Sequence, residues 1–180
     1  MLGFTLREII FAAVMAAAMG VIGFIAVPLV SAIPVPGLRS LIVAPFYGVI
    51  LGVALVRIPK VGMLTLISFF IGVVNSFIAP IMGVLFMACG IFTDLIAWLF
   101  FDRYRSRGAA IVCPGLYMMA MAPFSLLFGL LLARGTSLSA FLLNPLLVIG
   151  PALGSLLLGL AGGYLGSKIG RELNQIAVRR

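Results

Sequence analysis

Long apolar runs separated by short polar or proline-rich breaks dominate this chain, and their lengths decide its class. A membrane-spanning helix needs about 20 mostly apolar residues. On that measure the pattern predicts six helices, at about 6–30, 41–56, 61–77, 82–101, 109–133 and 141–166. Between the first two, Pro34, Pro36 and Gly37 cannot sustain a helix and read as a loop. Arg57-Ile-Pro-Lys60 stops the second helix, and Pro80 breaks the chain before the fourth. Asp102-Arg-Tyr-Arg-Ser-Arg-Gly108 is a charged loop and Arg134-Gly-Thr-Ser-Leu-Ser139 a polar one. Pro123 predicts a kink in the fifth helix, and Pro145 and Pro151 interrupt the sixth. The basic tail, 168–180, is expected to extend the sixth helix into or along the lipid headgroups. The first apolar stretch, 9–30, is longer than the roughly 7–15 residues of a secretory leader's core and reads as a retained span. The expectation is an all-α integral membrane bundle of six transmembrane helices in a single domain.

Composition agrees: 64% of the 180 residues are hydrophobic and 9% are charged, where a soluble domain carries about 25% charged residues. The net charge of +8 raises the question of a nucleic-acid partner, and its distribution answers against one. The basic residues stand in short clusters between apolar runs, Arg57 and Lys60, Arg103, Arg105 and Arg107, then Lys168, Arg171, Arg179 and Arg180. Such clusters meet anionic headgroups of a bilayer rather than forming a groove-sized nucleic-acid patch. They also set the orientation. With the N-terminus inside, these nine and Arg7 make ten cytoplasmic basic residues, against Arg39 and Arg134 outside. The positive-inside rule therefore predicts that both termini are cytoplasmic.

Patterns for catalysis are missing. The chain has no histidine, hence no Ser-His pair and no histidine metal site, and no phosphate-binding P-loop occurs. Gly135-Thr-Ser137-Leu-Ser139 falls short of a nucleophile elbow. Cys89 and Cys113 are too far apart for a zinc or redox motif and read as packing cysteines. No enzyme activity, cofactor or metal is expected.

Three groups of residues stand out. Asp94 is the one acid inside a span; at a helix centre it costs about 2.5–3.5 kcal/mol on insertion scales. That cost calls for a polar cavity or a hydrogen-bonded partner. Tyr47, Asn75 and Asn144, with Arg39 above them, form a set on the outward side that could line a pocket, although anchoring and capping would also explain them. The first helix repeats small residues, Ala12, Ala16 and Gly20 in one register and Ala13 and Ala17 in another. Such spacing lets helix backbones approach closely, against a partner or within the bundle. A second stripe, Gly150, Gly154, Gly159, Gly163 with Gly162, Gly166, Gly170, reads as packing within the bundle.

The opening Thr5-Leu-Arg-Glu-Ile-Ile-Phe-Ala-Ala-Val-Met-Ala-Ala-Ala18, the Ile33-Pro-Val-Pro-Gly37 loop, Ala44-Pro-Phe-Tyr-Gly48, the stretch 83–94 and the basic tail together resemble the S component of an energy-coupling factor (ECF) vitamin transporter. Pro45-Phe-Tyr-Gly48, Arg57-Ile-Pro59 and 90–94 look most like the branch handling thiamine or its hydroxymethylpyrimidine precursor. The resemblance implies a six-helix subunit in a bacterial or archaeal cytoplasmic membrane that captures a small vitamin-like substrate from outside. It implies docking through helix 1 onto a coupling membrane subunit driven by two ATPases. On it, Asp94, Asn75, Tyr47 and Asn144 would be polar substrate contacts with Arg39 on the lid, and Ala12, Ala13, Ala16, Ala17 and Gly20 would meet the partner. The rival expectation is a membrane scaffold that recruits a partner through its small-residue helices.

Overall fold

The computed structural model of the chain describes residues 3–31, 38–101, 104, 106, 108–132 and 145–178, and these are helical with short connections. Six helices follow one another among them: α1 Leu6–Ser31, α2 Leu38–Arg57, α3 Met63–Ser76, α4 Pro80–Phe100, α5 Ala109–Leu132 and α6 Pro145–Val178. Four contain stretches long and apolar enough to cross a bilayer, Leu6–Ala26, Ser40–Arg57, Pro80–Phe100 and Ile149–Gln175. Met63–Ser76 and Ala109–Ser125 are shorter apolar stretches. Large side chains such as Phe24, Phe77, Phe100 and Leu157 are exposed around the outside, which suits lipid rather than water as the surrounding solvent. The chain is thus a helical membrane protein.

Helix ends follow local chemistry. Thr5 and Glu8 form a capping box at the start of α1: the Thr5 amide donates to Glu8 Oε2 at 2.8 Å and the Glu8 amide to Thr5 Oγ1 at 3.4 Å. Pro80 occupies the first turn of α4, where its missing N–H costs nothing, so it opens the helix it was expected only to precede. Pro151 lies inside α6 without ending it. α6 continues through the basic segment to Val178; its 34 residues span about 51 Å at 1.5 Å per residue, well beyond the ~30 Å hydrocarbon core.

Close backbone contact holds the bundle together. α2 packs mainly on α6, α6 also on α5, and α3 on α4. Gly48 and Gly52 of α2 meet Gly159, Gly162, Gly163 and Gly166 of α6. Register rises together along both helices, so the pair is parallel. Added Cβ atoms at Gly48 and Gly52 would stand 2.6 and 2.8 Å from the carbonyl oxygens of Gly159 and Gly163, closer than real side chains approach. With no hydrophobic drive between helices in lipid, this backbone proximity supplies the dispersion contacts. α1 is peripheral and packs on α2 and α3 only among the pairings with substantial contact. Its buried edge is Ala12, Ala16, Met19, Gly23 and Ala26.

Candidate functional site

Two features at opposite ends of the bundle bear on function. The first is a cavity of about 230 Å³ bounded by Ser40, Val43 and Tyr47 of α2, Met82, Leu85 and Phe86 of α4, and Met121 and Ser125 of α5. It lies where α2 and α4 begin and along the second half of α5. Tyr47 is buried, and the Ser125 hydroxyl donates to the Ala122 carbonyl at 2.8 Å. The wall is therefore two aromatic rings, two thioethers, two aliphatic side chains and three hydroxyls. No charged side chain lines it among the described residues.

Farther along the helices, buried polar side chains pair within the bundle. Buried Ser68 of α3 donates to the hydroxyl of Tyr117 on α5 at 3.0 Å, and both are fully buried. Ser155 of α6 donates to the Met118 carbonyl at 3.2 Å. No buried side-chain nitrogen or oxygen lacks a partner among the described residues, so these polar groups are satisfied within the protein.

The second feature is Asp94 at the far end. Gly62, which precedes α3, adopts φ 94 and has no side chain to cap the helix. Asp94 supplies the cap from α4. Its Oδ2 accepts from the Thr65 amide at 2.7 Å and from the Thr65 hydroxyl at 2.6 Å, and the Gly62 amide also contributes. A carboxylate there meets the unpaired amides and positive dipole end of α3. Its Oδ1 accepts from the Tyr104 hydroxyl at 2.5 Å. Tyr104 is buried in the α4–α5 connection with φ 67, a left-handed conformation uncommon for a bulky residue. Burial, then the charge of Asp94, pushes its phenol well above the ordinary tyrosine range. Asp94 therefore ties together the start of α3, the end of α4 and the connection to α5.

Nearby, Lys60 forms an ion pair with Glu8 at 2.7 Å, and Arg57 Nε donates to Asn174 Oδ1 at 3.3 Å. A second, shallower and largely apolar groove of about 540 Å³ is lined by Asp94 itself together with Phe4, Thr65, Phe69, Ile91 and Trp98.

Of the expected substrate contacts, Tyr47 lines the cavity. Asp94 lies twelve positions after Met82 on α4, about 18 Å along the axis, with its oxygens engaged by Thr65 and Tyr104. Asn75 is buried on α3 and its amide donates to the Ile71 carbonyl at 2.8 Å. Asn144 falls outside the described residues, as does the side chain of Arg39. On α1, Ala12 and Ala16 face the protein's own interior, whereas Ala17 is exposed and Ala13 and Gly20 are half-exposed. Serine, methionine and phenylalanine of the cavity wall were not legible as site residues, because in an apolar helix they look like any core position. Thr65 and Tyr104, the partners of Asp94, lie 29 and 10 positions from it and have no motif that announces them.

Among the described residues, no three Cys, Asp or Glu side chains converge as metal ligands would. Comparison with known families, characterised proteins and solved structures finds no match to this chain.

Proposed function

We propose that this protein is the solute-binding membrane subunit of an ATP-driven importer of the ECF type, capturing a small vitamin-like compound from outside the cell. The observation that carries the proposal is the cavity under the starts of α2 and α4. It is small and polar at three hydroxyls. Binding sites of this kind, apolar with a few placed polar groups, occur between helices of bundles.

In this reading all six helices span the membrane and both termini are cytoplasmic. The ten-to-two partition of basic residues supports that orientation, and it turns the cavity outward. The chain contains no nucleotide-binding motif, so energy must come from elsewhere. A coupling subunit with two ATPases, docking on α1, provides it. The exposed face of α1 supports such docking: Ile10, Val14, Ala17, Val21 and Phe24 run along one side, with Ala13 and Gly20 beside them. The same face would equally serve a scaffold. The cavity favours solute capture, because a scaffold has no use for it.

A thermal-shift screen of the purified protein against water-soluble vitamins and their precursors tests the proposal. A ligand bound only by the folded state adds about 2.7 kcal/mol of stability at a hundredfold excess over Kd. One class of compound should raise the melting temperature reproducibly. Unchanged melting of folded protein across the whole panel would transfer the weight to the scaffold reading.

A further inference from the structure

The placement of charge limits what the cavity can accept. The whole chain has four acidic residues, Glu8, Asp94, Asp102 and Glu172. Glu8 is in the first turn of α1 and pairs with Lys60, just before α3. Asp94 caps the start of α3. Asp102 directly follows Phe101, the cap of α4, in sequence. Glu172 lies two positions before Asn174, which accepts from Arg57 at the end of α2. Glu8, Asp94 and Glu172 belong to one end of the bundle, Asp102 follows that end in sequence, and the cavity lies toward the other.

Resting on the solute-capture reading, we propose that the substrate is an uncharged ring compound, and that cations are excluded for want of a counter-charge. A cation leaving water needs a compensating charge or a dense set of acceptors. Here the nearest formal charges in sequence, Arg39, beside Ser40, and Arg134, beyond α5, are both positive and supply no counter-charge. The two rings, Tyr47 and Phe86, share the wall with aliphatic and thioether groups instead of enclosing a cation on several sides. The same wall suits a flat neutral ring. Met82 and Met121 offer polarizable sulfur to an aromatic edge or face, and the hydroxyls of Ser40, Tyr47 and Ser125 mark the polar edge. Size sets a second limit. At about 230 Å³ the cavity exceeds the roughly 150 Å³ of one that takes a benzene ring, which matches a single substituted ring.

Matched pairs that differ in charge test this on the intact protein by equilibrium dialysis. The neutral 4-amino-5-hydroxymethyl-2-methylpyrimidine and thiamine, which joins the same ring to a second, permanently cationic ring, test size and charge together. Nicotinamide against 1-methylnicotinamide, methylated on the ring nitrogen and permanently cationic, isolates charge at one-ring size, with nicotinate as the anion, alongside further uncharged rings of this size. At least one neutral compound should bind saturably, and its cationic counterpart about 100-fold more weakly. Binding should vanish in a folded Met82→Trp variant, whose larger side chain fills the cavity from α4. A cation or anion binding as tightly as the neutral compounds, or binding that survives M82W, would overturn the charge-and-cavity assignment while leaving solute capture standing. No saturable binding by any probe would overturn solute capture itself, and this inference with it.

Discussion

Two glycine-to-alanine substitutions in helices should change stability in opposite directions. At Gly52 an added Cβ meets only backbone: the Gly163 carbonyl oxygen at 2.8 Å, the Gly163 Cα at 3.2 Å and the Gly166 Cα at 3.3 Å. None of these atoms can rotate away. Ordinary contact begins at 3.4 Å, so α2 and α6 must part by about 0.6 Å at this point. Overpacking of this kind costs about 1–3 kcal/mol, and alanine returns roughly 0.5–1 kcal/mol through its better helix propensity. The net result for Gly52→Ala is a loss of about 1–2 kcal/mol. At Gly20 an added Cβ meets nothing within 4 Å, so Gly20→Ala keeps the propensity gain without the strain. Thermal unfolding of both variants in the same detergent, followed by circular dichroism, reads the difference. For a chain of this size 1 kcal/mol corresponds to about 2–4 °C, so G52A should melt below the parent and G20A at or above it. If G52A melts with G20A, the parallel α2–α6 contact is not as close as described.

Other expectations follow from single contacts. Replacing Asp94 by leucine strands the Thr65 amide and the hydroxyls of Thr65 and Tyr104, and should cost about 1–3 kcal/mol for each donor left unsatisfied, whereas Tyr104→Phe removes one hydrogen bond to a carboxylate and should cost about 1.5–3 kcal/mol in all. Ligand affinity of folded Y104F should stay at the parental value, and a large loss would place Asp94 in the binding site after all. The raised pKa of Tyr104 means that the folded state keeps a proton the unfolded state loses. Its stabilising effect is therefore full below the ordinary tyrosine pKa of about 10 and declines as pH rises above it; the stability-pH curve of Y104F should fall less steeply there. On α1, Ala17→Leu alters an exposed position and should leave folding and solute binding intact while abolishing uptake in cells. Ala16→Leu overfills a buried one and should lower stability by about 1–3 kcal/mol. Normal uptake by A17L would remove this face from the docking surface.

The helical architecture was legible because twenty-residue apolar runs have few other fates, and the proline and charge breaks lie between them. Individual ends were harder. Pro80 acts as a first-turn residue, and only the neighbouring backbone decides whether a proline ends one helix or begins the next. Thr5-Leu-Arg-Glu8 is a capping box that the pattern itself contains, and it could have been read. The facing of α1 could not. Ala12/Ala16 and Ala13/Ala17 have the same spacing, and their difference arises from the packing of α1 on α2 and α3. Asp94 was visible as an anomaly, but its explanation depends on Gly62, which opens α3 without offering a cap. The cavity was least visible, since it is a property of three helices together and Tyr47 is the one member of its wall that stood out.

The most direct measurement is saturation binding of the best neutral ligand to the purified parent and to Met82→Trp, each shown to be folded. One ligand per chain in the parent, with binding lost in M82W, is the result predicted for solute capture between α2, α4 and α5. Equal binding by both proteins, or no saturable binding by the parent, would contradict it.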